Sequence, residues 1–109
     1  MRASVFFAED RIKESFLALA SSKSEDAELG CSLNEVFDAL ALNAFCGIQV
    51  PKRQIPKSYI ARYGIDNLWK YNFFKNWRLM YSVAGDGETV VVVILEWLSH
   101  KEYERRFGY

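Results

Sequence analysis

One histidine, two cysteines and two prolines are all that the chain's 109 residues contain of those types. One histidine and no CxxC pair leave no metal site of the usual spacing. The cysteines, Cys31 and Cys46, bracket a segment that reads as helix. A helix of that length separates its ends by roughly 22 Å, far beyond disulfide reach. Two free thiols, and with them a reducing compartment, are the expectation. No GxSxG elbow and no glycine-rich phosphate loop is present, which sets aside triad hydrolases and P-loop enzymes. Long apolar runs are missing too. The longest, Val90 to Leu95, is too short to span a bilayer, and the N-terminus has no basic stretch followed by an apolar h-region. We expect a cytoplasmic protein with no membrane partner, no metal and no cofactor.

Net charge is also lacking, at zero, but the total hides an asymmetry. Residues 1–50 carry four cations (Arg2, Arg11, Lys13, Lys23) against eight anions, whereas residues 51–109 carry ten cations against six anions. Such a split points to a basic functional face with an acidic scaffold behind it. Half of the residues are hydrophobic and 16% are aromatic, enough for one folded domain over 1–109 with a single core.

The pattern along the chain is α+β: a two-helix hairpin on a small antiparallel sheet, with a short C-terminal helix. ASVFF, residues 3–7, reads as a short strand. Ile12, Phe16, Leu19 and Ala20 recur at helical spacing and predict a helix over 8–22. A polar break follows. Ser32-x-x-Glu35 then has the form of a capping box, with Leu33, Val36, Phe37, Leu40 and Ala44 continuing a helix over 32–46. Pro51 and Pro56 forbid a long helix, though IPKSYIARY suits a turn or two after Pro56. Period-2 alternation predicts strands over 67–73 and 77–84, and the run before Trp97 predicts a strand over 88–97 buried on both faces. Asp86-Gly87 is a hairpin signal.

Alternation places Trp69, Tyr71, Leu79 and Tyr81 toward the helices. If the first hairpin turns symmetrically about Lys75, Asn72 lies opposite Arg78 and Lys70 opposite Met80, which gathers Lys70, Asn72 and Arg78 on the other face. Two cations and an amide there form either a phosphate cradle or the ordinary polar surface of a half-covered sheet. The ending, SHKEYERRFGY, has the same two readings. Ion pairs of Glu102 with Arg106, and of Lys101 with Glu104, account for much of it as a solvated helix. They leave His100, Tyr103 and Tyr109 without a reason, and His100 is the best single proton carrier in the chain.

LWKYNFFKNWRLMYSV, followed by a turn, an apolar strand and HKEYERRF, resembles the RelE/ParE superfamily of prokaryotic toxin–antitoxin proteins. The match covers about residues 66–107, and its specific part is the WRLMY strand together with the order of the elements. The resemblance implies a RelE-like fold and, in the RelE branch, the toxin of a type II module: a metal-independent endoribonuclease that cleaves mRNA on translating ribosomes. By position, Lys70 falls at the family's strand lysine, Arg78 at the strand arginine, and His100-Lys101 at the basic pair after the last strand; of the tyrosine expected several residues further on, Tyr103 comes early, Phe107 sits near the expected place and Tyr109 comes late. Cations stabilise charge on the phosphoryl oxygens, while His100 or Tyr103 moves protons and Lys101 tunes a neighbour. Lys52, Arg53, Asn72, Arg105, Arg106 and Tyr109 complete the expected RNA-binding set, with rings available for base stacking. Asn72 departs from a second cation in many RNA-cleaving members, and the tyrosine spacing departs as well. Both departures suit an alternative, a ParE-like toxin that inhibits a partner such as DNA gyrase without catalysis, or a degenerate member that binds only its antitoxin. The implied partners are a cognate antitoxin, mRNA and the ribosome, with a homodimer left open.

Overall fold

The computed structural model describes residues 2–85 and 87–108. Strand β1 (Ala3–Phe7) leads into α1 (Asp10–Ala20) and α2 (Glu25–Leu42). The chain then forms a two-residue strand β2 (Ile48–Gln49), a 3₁₀ turn at Lys52–Gln54 and α3 (Lys57–Tyr63). Strands β3 (Trp69–Phe73), β4 (Trp77–Gly85) and β5 (Val90–Leu98) follow, then α4 (His100–Phe107). The five strands make one sheet in the order β1-β5-β4-β3-β2. It is mixed rather than wholly antiparallel, because the first strand lies parallel to the last. Among the described residues no helix is long and apolar enough to cross a membrane.

The helical hairpin is present, with α2 starting well before the expected residue. Ser24 caps it, its side chain accepting from the Asp26 N–H, and Glu25, Asp26 and Glu28 load the first turn with negative charge, where the helix dipole favours it. Ser32, the expected cap, is interior. Gly30 is buried against α1: a Cβ there would stand 3.2 Å from Leu19 Cβ and from Ala20 N. The helix ends at Leu42 rather than 46, where the Asn43 side chain accepts from the Phe45 N–H at 3.0 Å and turns the chain out of the helix. Past Pro56, which stands at the N-cap position, α3 forms as expected.

The first hairpin has the predicted register, Asn72 opposite Arg78 and Lys70 opposite Met80. Lys75 and Asn76 both take left-handed conformations, φ 48° and 66°, so the turn closes in three residues. Of the second turn, Asp86 lies outside the described residues. Strand β5 is central, between β1 and β4, and covered on both faces as expected. A bulge interrupts its pairing: Tyr81 faces Ile94, but Met80 faces Glu96, leaving Leu95 as the extra residue. Strict alternation would carry Glu96 under the helices after Ile94. The bulge instead brings Trp97 into that layer and turns Glu96 and Leu98 to the opposite side, where Leu95 already lies.

Two cores result. The first lies between the sheet and α1–α2 and contains Ile12, Leu33, Leu40, Leu79, Tyr81 and Ile94, with Trp69 and Tyr71 packed at its edge. The second lies on the other face, where Val50, Ile55, Tyr59 and Tyr103 cover Leu68, Met80, Leu95 and Leu98. This second layer builds the candidate site.

Candidate functional site

The sheet's second face is reached by α4 with almost no connection. Ser99 follows β5 directly and caps the helix: its hydroxyl accepts from the Glu102 N–H at 3.3 Å, and the Glu102 carboxylate accepts from the Ser99 N–H at 2.9 Å. That reciprocal box fixes the angle at which α4 turns back over the strands. Tyr103 and Phe107, one turn apart, then point at the sheet, with Tyr103 buried and their rings stacked at 4.5 Å.

Lys70 and Arg78 meet on Tyr103. The Lys70 ammonium donates to the Tyr103 hydroxyl at 2.9 Å and stands 5.0 Å from the ring centroid, while the Arg78 guanidinium carbon stands 5.4 Å from the same centroid. Arg78 Nη1 donates to the Asn76 carbonyl at 2.8 Å, so the left-handed turn that closes the hairpin also anchors the arginine. Its other arm, Nη2, faces His100 Nδ1 at 3.4 Å, and His100 Nε2 meets Glu104 Oε1 at 3.0 Å. Asn72, exposed, stands opposite Arg78. Across the sheet from Lys70, Ile48 is exposed on the same face.

Each cation therefore leans on a ring and a neutral acceptor, and neither pairs with a carboxylate among the described residues. Cation–π contact contributes about 0.5–2 kcal/mol, which is less than a guanidinium or ammonium gains from a bidentate anion. Two such cations, one amide and an imidazole at one end of a sheet face can hold a phosphate and move a proton beside it.

The remaining expected residues divide. Lys101 and Arg105 are exposed on α4, and Lys52 and Arg53 on the 3₁₀ turn, without joining the cluster. Arg106 is not free for an anion: Nη1 donates to the Glu96 carboxylate at 2.9 Å, and its guanidinium lies 5.6 Å from the Tyr59 ring centroid. The expected Glu102–Arg106 pair is therefore replaced, since Glu102 serves the cap. The Lys101–Glu104 pair gives way to His100–Glu104 in the same manner. Tyr103, buried against Phe107 and two cations, has no face left for a base. Tyr109 lies outside the described residues. The Tyr59 hydroxyl, buried near Glu96, makes no well-aligned hydrogen bond; burial first, and that carboxylate second, push its pKa up.

Sequence reasoning missed Glu104 as a partner of His100, the Asn76 carbonyl that holds Arg78, and the cap at Ser99. A signal existed for the cap, because Ser99-x-x-Glu102 has the same form as Ser32-x-x-Glu35 and follows an apolar strand. A broad cleft, about 940 Å³, lies at the other end of the strands. Its size carries no functional weight, because its polar groups satisfy one another. Arg62 grips Glu9 through two bonds of 2.7 and 3.1 Å, and the Asn67 amide pairs with the Val83 backbone while Ser82 donates to Asn67. Cys31 and Cys46 are free and exposed. No protein-family model, no curated protein and no solved structure matches the chain.

Proposed function

We propose that the chain is the toxin of a type II toxin–antitoxin module, of RelE kind, and cleaves mRNA on translating ribosomes without a metal. The observation that carries this reading is the convergence of Lys70 and Arg78, neither paired with a carboxylate, on one face beside a lone imidazole. In the reaction the 2′-oxygen attacks the adjacent phosphorus. Arg78 and Lys70 hold the phosphoryl oxygens as charge gathers on them, and His100 carries the proton. Tyr103 is a positioning residue, since its hydroxyl and ring hold both cations where the phosphate would sit. Lys52, Arg53, Lys101 and Arg105 supply backbone attraction around the cluster. The free, exposed thiols suit a reducing cytoplasm.

The test is to incubate purified protein with translating ribosomes and map mRNA 5′ ends. Discrete cuts by the wild type, reduced about 10²–10³-fold in Arg78→Ala, support the reading. An Arg78→Ala protein that cuts at the wild-type rate removes the site. Two observations favour a second reading, a ParE-like inhibitor that binds a protein target such as gyrase: Asn72 stands where a further cation would help, and Tyr103 has no free ring face. Growth arrest with intact mRNA would select that reading. Failure of both assays would leave a member that binds only its antitoxin.

An antitoxin is part of either proposal. Leu42, Phe45 and Ile48 are exposed beside the short edge strand β2, and Phe6 is exposed on the edge strand β1; such surfaces suit an extended partner chain. Co-expression with the product of an adjacent small reading frame, followed by size-exclusion chromatography, tests this. Separate elution would remove the toxin–antitoxin assignment's main support.

A further inference from the structure

We propose that Glu104 is a positioning residue that fixes the tautomer of His100, leaving Nδ1 as the atom that accepts the 2′-hydroxyl proton. The proposal rests on the nuclease reading for its reaction, and on geometry alone for the tautomer.

Two neighbours of opposite chemistry flank the imidazole. A carboxylate can only accept hydrogen bonds and a guanidinium can only donate them. Glu104 Oε1, 3.0 Å from Nε2, therefore requires a proton on Nε2. Arg78 Nη2, 3.4 Å from Nδ1, requires a bare lone pair there. The neutral ring with its proton on Nε2 satisfies both at once, and the other neutral tautomer satisfies neither. The two constraints come from different elements, Glu104 from α4 and Arg78 from β4. The remaining nearby charges act elsewhere: Lys70 is bound to Tyr103, and Lys101 is exposed beside His100 on the outer helix surface.

Arg78 links this lone pair to the phosphate. Nη1 is held by the Asn76 carbonyl at 2.8 Å, whereas Nη2 makes only the long contact to Nδ1. A phosphate oxygen is a better acceptor than a neutral ring nitrogen, so an arriving phosphate draws Nη2 away and leaves the Nδ1 lone pair uncovered beside it. The 2′-hydroxyl proton then passes to Nδ1 as the O2′ electron pair forms the bond to phosphorus. The P–O5′ bond breaks with its electron pair on O5′, and O5′ takes a proton from water. The resulting hydroxide takes the proton back from the imidazolium, so the ring ends neutral. The products are a 2′,3′-cyclic phosphate and a 5′-hydroxyl.

His100 is the chain's single histidine, so ¹⁵N-histidine labelling reports one ring without assignment. Long-range ¹H–¹⁵N spectra of the neutral form should show the proton on Nε2 in the wild type, and a mixture of tautomers in Glu104→Ala. On the nuclease side, Glu104→Ala should slow cleavage only about two- to fivefold, as befits an exposed pair. Glu104→Gln, which can still accept from Nε2, should restore the tautomer. His100→Gln should lose about 10²–10⁴-fold. A proton on Nδ1 in the wild type, or no change in tautomer in Glu104→Ala, overturns the proposal. So does a His100→Gln protein that cleaves normally, and in that case the nuclease reading survives. A wild type that never cleaves overturns the nuclease reading itself, and the base role with it, whatever the spectra show.

Discussion

Arg78 and Leu79 are neighbours on β4, yet they belong to two different environments. Leu79 points beneath α1 and α2 into a layer where Tyr81, Val92 and Ile94 have no measurable exposure. That layer is dry enough for burial to push the Tyr81 phenol up to about 12. Its hydroxyl is spent on the backbone, donating to the Ala44 carbonyl and accepting from the Gly47 N–H. Arg78 points to the other face, where α4 covers Met80 and Leu98 but leaves polar ends open along its margin. The contrast teaches that one strand can build a scaffold and a site together when only one of its faces is sealed. The bulge at Leu95 maintains the difference, since it keeps Glu96 out of the sealed layer and gives it to Arg106.

Paired substitutions test this division most strongly. Leu79→Ala should cost about 2–5 kcal/mol of stability, the range for emptying a fully buried leucine site, read as a lower midpoint in denaturant unfolding. Arg78→Ala should lower stability by no more than about 1 kcal/mol, the scale of lost solvent-side contacts, while removing most of the proposed mRNA cleavage. A large stability loss in Arg78→Ala would show that the second face is scaffold too.

The alternation behind this pair is plain in the sequence. WKYNF and WRLMYSV have a strict period of two, and a hairpin centred on Lys75 leaves one register that buries the aromatic rings. Lys70, Arg78, His100 and Tyr103 meet because that register is right. Where an argument needs a third element, the sequence is silent. Ser32-x-x-Glu35 is a good local cap signature, but Ser24 caps the helix earlier, and Gly30, packed against α1, lies inside it. VVVVIL is apolar throughout, so its pattern has no phase in which a bulge could show. Helical spacing likewise names Glu102 as a partner of Arg106, and cannot know that β5 presents Glu96 nearer.

Gly47 is where the two environments touch, which makes it the next test. A Cβ there would stand 2.5 Å from the Tyr81 hydroxyl and 2.7 Å from the Lys70 carbonyl. The carbonyl belongs to the backbone and yields little. Gly47→Ala should therefore cost about 1–3 kcal/mol, as overpacking does, and should also lower cleavage, because it displaces the strand that presents Lys70. A stability loss with unchanged cleavage would show that the two faces are insulated from each other.

Tyr103→Phe asks a smaller question. It keeps the ring under both cations and removes the acceptor for the Lys70 ammonium. Lys70 is half-exposed and water can replace the bond, so stability should fall by about 1 kcal/mol or less. Cleavage should fall more than stability if the hydroxyl aims Lys70 at the phosphate. Equal loss of both would leave Tyr103 a packing residue.

The smallest expected effect lies away from both cores, at the charge cluster joining α1 to α3. Arg62 first, with Arg11 assisting, holds the Glu9 carboxyl down at about 2 from an ordinary 4.5. A depressed carboxylate stabilises the fold fully above its unfolded value and loses that contribution as pH falls through the folded one. The window for Glu9 therefore runs from about 4.5 down to about 2. The pair is solvent-exposed, so added salt should shrink its effect. Denaturant midpoints should fall between pH 5 and pH 2.5 in the wild type, and fall less in Glu9→Gln, with the two converging toward pH 2. Other carboxylates titrate in both proteins and cancel in the difference. A difference that persists unchanged at pH 2, or that is indifferent to salt, would mean that Glu9 acts through packing rather than charge, and the tether between α1 and α3 would belong with the sealed face.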